Sequence, residues 1–147
     1  MSPPTSRRPL AAGDVHHVDL PLRWGDADAL NHLNNTLYFR LMEEARMQIL
    51  YGAGLRLPAD VGPILAHASC DFRRPLTYPA DVRVVHRVAR IGSSSLEFDL
   101  SLEKLGDEAG VYATGRNVLV WVDYVANRPA PWPPEVLARL GAQFRPA

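Results

Sequence analysis

Residues Arg23 to Arg46 read RWGDADALNHLNNTLYFRLMEEAR, and no other part of the chain mixes acids, amides, a histidine and aromatics so densely. The first half, with Asp26, Asp28, His32, Asn34 and Asn35, is polar and aperiodic, as a loop would be. From Thr36 the apolar residues take helical spacing, which predicts a helix from about Asn35 or Thr36 to Tyr51. Asn34 or Asn35 is a suitable cap, and Gly52 and Gly54 end the run. Leu37, Tyr38, Leu41, Met42, Ala45 and Ile49 form one apolar arc. Arg40, Glu43, Glu44 and Arg46 stand opposite, yet so do Phe39, Met47, Leu50 and Tyr51. That second side is too apolar to be wholly solvated, so the sheet or a second subunit is expected to cover part of it.

Working outward from this helix, the upstream chain supplies one strand. Val18, Leu20, Leu22 and Trp24 alternate with Asp19, Pro21 and Arg23, and Pro21 marks an edge or a break because it cannot donate to a ladder. Residues Met1 to about Val15 show no periodicity and are expected to be a loose arm, leaving 16–147 as a single domain. Downstream the chain is mostly strands. Ile64 to Phe72 alternates with its neighbours, a strand starts near Asp81, and Leu96, Phe98, Leu100 and Leu102 alternate with Glu97, Asp99, Ser101 and Glu103. Gly92 to Ser95 and Gly106 to Gly110 read as hairpin turns. Val111 to about Tyr124 is apolar on both sides and belongs at the centre of a sheet or at a subunit contact. A Pro-rich exit, Asn127 to Pro134, precedes a short helix at Glu135 to Leu140. Without repeated strand-helix alternation a Rossmann sheet is excluded, and the pattern predicts an α+β pair of layers, one helix against one curved antiparallel sheet of about five strands.

The bulk composition narrows the function classes. A chain of 147 residues, 47% hydrophobic and 22% charged, can build one core. Sixteen basic and sixteen acidic residues cancel, so no overall field draws the protein to nucleic acid or an anionic membrane. The single cysteine, Cys70, cannot form an internal disulfide, the N-terminal stretch lacks the apolar core of a signal peptide, and no apolar run approaches the roughly 18 residues of a membrane span. These features predict a cytoplasmic protein.

The chemistry is concentrated where the polar loop meets the helix. A carboxylate beside free helix N-terminal N–H groups pairs a nucleophile or base with donors that favour negative charge, an arrangement suited to acyl transfer. Taken alone, Asp26, Asp28 and His32 are better read as a polar loop with an Asx turn and a helix cap. A divalent metal would need further ligands that the sequence does not offer, and no cofactor motif is present. His32 could orient the loop or be a buried, hydrogen-bonded histidine. His16, His17, His67 and His86 read as structural, Cys70 as a small core residue, and Arg40 and Glu44 as an i,i+4 pair.

Asp26-Ala-Asp28, followed by His32, Asn34-Asn35, Tyr38 and Glu43-Glu44, resembles the opening motif of the hotdog-fold acyl-CoA thioesterases of the 4-hydroxybenzoyl-CoA thioesterase type. SCDFRRPLTYPADV, Ser69 to Val82, resembles the family's second and third strands, and VLVWVDYVANRPAPWPPEV, Val118 to Val136, its last strand and exit. The resemblance implies a hotdog fold, hydrolysis of acyl-CoA to free acid and coenzyme A, and no metal or organic cofactor. It makes Asp28 the catalytic carboxylate, as nucleophile or as base for a water, and places the N–H that polarises the thioester carbonyl at Asn35. Such an N–H could contribute roughly 3 kcal/mol. His32 and Glu43 become supporting catalytic candidates, the latter because other hotdog enzymes use a helix glutamate. Asn34 and Tyr38 become substrate contacts.

The resemblance further implies a homodimer or homotetramer with sites at the subunit interface. Where aromatic-acyl members carry a basic run for coenzyme A phosphates, this chain has Gly92 to Ser95, GSSS. Substrate binding is therefore expected to draw on Arg73, Arg74, Arg90, Ser93 and Ser94, or the substrate is carried by acyl carrier protein instead. A hotdog that binds acyl-CoA without hydrolysing it is the alternative from another class.

Overall fold

The structure, a computed structural model, describes residues 8–108 and 110–147. In chain order it has β1 (Val15–Pro21), a 3-10 turn (Trp24–Asp26), α1 (Asn35–Gly52), β2 (Val61–Phe72), β3 (Asp81–Ile91), β4 (Ser95–Lys104), β5 (Val111–Asp123), β6 (Arg128–Pro129) and α2 (Pro134–Gly141). All strand pairs are antiparallel in the order β1-β3-β4-β5-β2, and β6 adds a two-residue pair to β5. This is the helix wrapped by a curved sheet that the sequence predicts. The strict alternation in β4 comes out as drawn, with Leu96, Phe98, Leu100 and Leu102 buried under α1.

The helix buries more of its circumference than the predicted arc. Tyr38, Leu41, Met42, Ala45, Arg46, Ile49 and Leu50 are all buried, about half the circumference at 3.6 residues per turn. Each large apolar side chain contributes about 1.5–3 kcal/mol by leaving water. Arg46 and Leu50, expected on the outer face, are therefore corrected to the core, because the sheet curls past the helix on that side. Gly115 in β5 lets α1 approach closely: a Cβ there would lie 2.7 Å from Ser69 O and 3.1 Å from Met42 Cε.

The expected arm, Met1 to Val15, divides. Residues 1–7 lie outside the described residues. From Arg8 onward the chain is fastened to the body: Leu10 is 4% exposed, its N–H donates to Leu137 O at 3.0 Å, and Arg8 Nη1 donates to Asp14 Oδ2 at 2.7 Å. Gly141 of α2 makes the approach possible, since a Cβ there would stand 2.2 Å from Arg8 O. Aperiodic sequence hid this because one leucine anchors the segment and backbone hydrogen bonds carry no sequence signature.

The two long edges of the sheet differ. β1 is short, ends at Pro21 and is bridged at Val15 by Arg145. β2 runs for 12 residues with Val61, Ile64, Leu65 and Phe72 exposed.

Candidate active site

The polar loop starts where β1 stops and is closed by Asp26. This residue is 4% exposed, with both carboxylate oxygens engaged. Oδ2 accepts from Arg23 N at 2.8 Å and from Arg40 Nη2 of α1 at 2.9 Å, and Oδ1 accepts from Arg23 Nη2 at 3.3 Å. Its main-chain oxygen accepts from Asn34 N at 3.3 Å, and Ala27 pairs with Leu33 as an isolated bridge. The loop is thus folded back on itself, with the start of α1 beside the segment that carries Asp28. Arg40, expected to pair with Glu44, reaches Asp26 instead, because the buried carboxylate lies under the first turns of the helix; Glu44 accepts from Gln48.

Asp28 has the opposite surroundings. It lies at the surface, and its Oδ1 accepts from Leu30 N at 2.9 Å and His32 N at 3.1 Å. No hydrogen bond reaches Oδ2 from the described residues. Those two backbone donors, His32 foremost, hold the Asp28 carboxyl below its ordinary pKa, so it is a firm anion at neutral pH. The main chain fixes the turn as well, with Asp28 N donating to His32 O at 2.8 Å and Asn31 N donating to Asp28 O at 3.0 Å. Asn31 takes a positive φ of 56°, which asparagine tolerates.

At the head of α1, Asn34 is the cap. Its Oδ1 accepts from Thr36 N at 2.9 Å and from Thr36 Oγ1 at 2.7 Å, while Leu37 N donates to Asn34 O. The N–H of Asn35, first residue of the helix, has no acceptor among the described residues, as expected at a helix start. His32 is exposed, so the reading as a buried histidine is corrected; its imidazole makes no hydrogen bond to the described residues.

Two cavities flank this segment. One of about 210 Å³ is lined by His32, Asn35, Tyr38, Phe72, Arg73 and Arg74 among others. The second, about 730 Å³, is lined by Asp28, Trp24, Ala27, Ala29, Asn31 and Tyr78 among others. Arg74 is held over the Tyr112 ring, 4.0 Å to the centroid, with Nη2 3.3 Å from Asp107. Arg73 is exposed, and its guanidinium has no hydrogen-bonded partner among the described residues. Tyr38 is buried, edge-on to Phe72, and its OH accepts from Leu76 N at 3.3 Å.

The remaining candidates lie elsewhere in the chain. Glu43 points outward from α1, 3.7 Å from Arg46. Arg90, Ser93 and Ser94 sit at the β3–β4 hairpin. Ser93 O accepts from Trp132 N, and Ser94 O from Trp121 N and Trp132 Nε1. Trp121 and Ala113 on β5 mark the hairpin end and the Arg73 end of the sheet, a separation of about 26 Å at roughly 3.3 Å per strand residue. Within one chain the structure therefore gathers His32, Asn35, Tyr38, Arg73 and Arg74 round one cavity, with Asn34 at the adjoining helix start, places Asp28 on the other cavity of the same loop, and leaves Glu43, Arg90, Ser93 and Ser94 apart. Sequence reading missed Trp24 and Tyr78 as cavity walls and Arg40 as the partner of Asp26. Only the exposure-prone Trp in a polar loop could have signalled any of them.

Cys70 is half-buried and its thiol is pushed up to about 11 by burial, which leaves it unreactive. Among the described residues no three of His, Cys, Asp and Glu gather in a way that could hold a metal ion, and no helix is long and apolar enough to cross a membrane.

Residues 22–140 match the thioesterase-like superfamily. The PA2801 protein of Pseudomonas aeruginosa, a candidate thioesterase, is 39% identical to this chain and superposes with a TM-score of 0.78, over 82% of this chain and 93% of that one. A candidate acyl-CoA thioesterase of Xanthomonas campestris is 31% identical with a TM-score of 0.72, over 81% of this chain and 99% of that one. The YsmA protein of Bacillus subtilis strain 168 is 27% identical over 117 residues, 78% of this chain and 77% of that protein.

Proposed function

The chain belongs to the thioesterase-like superfamily of hotdog-fold thioester hydrolases, and on that premise we propose that it hydrolyses acyl-CoA thioesters, with Asp28 as the attacking carboxylate and the Asn35 N–H as the donor to the thioester oxygen. The observation that carries the reading is an exposed carboxylate, one oxygen tied and one unengaged by the described residues, on the loop that leads into a helix whose first N–H has no acceptor among them. In this reading Asp28 Oδ2 adds to the thioester carbonyl carbon, the carbonyl oxygen gathers negative charge against the Asn35 N–H, and the C–S bond breaks to release coenzyme A as its thiolate. Water then splits the acyl-aspartyl anhydride, returning the carboxylate and releasing the acid. The lowered pKa of Asp28 keeps it ionised at neutral pH, the form in which a carboxylate serves either as nucleophile or as base for a water. Coenzyme A as the thiol is supported by the Xanthomonas relative and by Arg73 and Arg74 beside Asn35, which suit phosphates.

The same proposal includes a second copy of the chain and a cytoplasmic location. β2 is an unpaired edge of 12 residues with four large apolar side chains exposed. Antiparallel pairing of two such edges about a two-fold axis would set the hairpin end of one copy, with its Arg90, Ser93 and Ser94, level with the Arg73 end of the other. The two groups of candidates that one chain keeps apart would then share a site, and two such dimers could pair as a tetramer. Thiol release from a panel of acyl-CoA and acyl carrier protein thioesters, by wild type and Asp28→Asn, tests the chemistry. A folded Asp28→Asn protein with unchanged turnover overturns the role of Asp28, and a monomer in solution at micromolar concentration overturns the shared site.

A further inference from the structure

Asp28 has a neighbour two residues away that has no part in the proposed bond-making. Asp26 has both oxygens occupied and is shut from solvent, so it cannot reach a substrate. Its partners are nonetheless chosen from each piece that frames the site. Arg23 comes from the exit of β1, Arg40 from the second turn of α1, and Asn34, held through the Asp26 main-chain oxygen, is the helix cap. One residue therefore ties both ends of the loop 27–34 and the helix that follows it.

From this geometry we infer that Asp26 is a positioning residue, which through its ion pair with Arg40 sets the placement of Asp28 relative to the N–H of Asn35. The inference rests on the proposed roles of those two groups. Its physical basis is the sensitivity of acyl transfer to geometry. A nucleophile and an oxyanion donor that belong to different elements, a loop and a helix, work together only if something fixes one against the other, and a displacement of about 1 Å can cost about 100-fold in rate. Side-chain packing does little of this work here: between Ala27 and Asn35 only Leu33 is buried. The two hydrogen bonds to Asp28 Oδ1 shape its own turn but reach no further than His32. The Asn34 N–Asp26 O bond and the Ala27–Leu33 bridge close the loop through the main chain, and among the described residues the one side-chain ion pair that ties Asp26 to the body of α1 is with Arg40, whose guanidinium is partly exposed while the carboxylate is buried. A buried carboxylate paired in this way is expensive to leave alone, which is why the arginine stays seated.

The test compares Asp26→Asn, Arg40→Gln, Arg40→Lys and the Asp26→Asn/Arg40→Gln double variant, each normalised to folded protein by circular dichroism. Asp26→Asn and Arg40→Gln are expected to lower kcat about 10- to 100-fold with KM within about threefold, since the loss falls on geometry in the transition state. Arg40→Lys should recover most of the rate, and the double variant should be no worse than the poorer single one. Wild-type kcat in Arg40→Gln, whose side chain is partly exposed, overturns the inference, as does a double variant whose losses multiply. Amide hydrogen exchange gives a readout independent of turnover: residues 28–35 should exchange faster in Asp26→Asn and Arg40→Gln while β3 and β4 do not change. Unaltered exchange in 28–35 overturns the positioning role even if Asp28→Asn shows that the reaction itself was misassigned.

Discussion

The segment from Ala27 to Asn35 lies mostly in solvent, and its hydrogen bonds run partly within the loop and partly to Asp26, Leu76 and Tyr78. Beneath α1 a second group of polar residues is buried in the core and only partly matched. Asn117 on β5 is 0% exposed, and with its amide turned to suit its neighbours it accepts from Arg46 Nη1 at 3.1 Å and donates to Arg116 O at 3.0 Å. His86 on β3 is 0% exposed as well, edge-on to Phe98, and neither ring nitrogen has a hydrogen-bond partner. The contrast is between polarity that the proposed reaction would use and polarity tolerated in a core. In the loop, ordered donors leave one oxygen and one N–H unengaged at the surface, where a ligand can meet them. In the core, unmatched groups meet nothing, so their effect falls on stability and its response to pH.

The largest expected effect breaks the loop side. Asp28→Asn should lower kcat by about 1,000-fold or more, about 4 kcal/mol, with the melting temperature little changed. Thiol-release kinetics beside a thermal melt check both halves. On the core side, Arg46→Met should cost about 1–3 kcal/mol of unfolding free energy, since Asn117 then keeps a buried oxygen without a donor. Arg46→Met combined with Asn117→Leu should recover most of it. Urea titration of the three variants decides, and an equally destabilised double variant would mean that the arginine acts through its packing alone.

His86 sharpens the comparison through pH. Burial is the main cause that lowers its pKa from 6.5 to about 3, aided by His16 across β1 and by Arg46 from α1. Below pH 6.5 the unfolded chain gains a proton that the folded chain refuses until about pH 3, so stability falls as pH falls through that window. The slope approaches about 1.4 kcal/mol per pH unit. His86→Leu should be less acid-sensitive than wild type by that slope, read from urea midpoints between pH 7 and pH 4. Equal slopes would refute a neutral buried His86. The smallest effect returns to the loop: Asn34→Ala, which removes the cap acceptor for Thr36, should cost about 1 kcal/mol of stability.

The same contrast explains what could be read in advance. A cap at Asn34 or Asn35, the start of α1 to within a residue and the buried face of β4 were legible because each is written in neighbouring residues: a short acceptor before a helical run, or period-two alternation. The candidate roles of Asp28, Asn35, Arg73 and Arg74 came from the motif that the chain resembles; that Asn35, Arg73 and Arg74 line one cavity and Asp28 another is a matter of tertiary folding. Arg46 was misplaced because helix periodicity marks the middle of the buried arc and not its width, which the curl of the sheet decides. The Asp26–Arg40 pair joins residues with no periodic relation, and the distance from Ser93 to the site depends on strand register. Neither leaves a local trace.

The fastening of Leu10 to Leu137 and of Val15 to Arg145 has a topological consequence. Segments near the two ends of the polypeptide are clasped side by side, so the molecule is nearly a ring cut at that clasp. Sealing it with a short linker and reopening the chain at the exposed Gly106, in the β4–β5 turn, would leave every strand pairing and the loop around Asp28 as they are. The direction in which the strands are threaded is thus separable from the shape that they make.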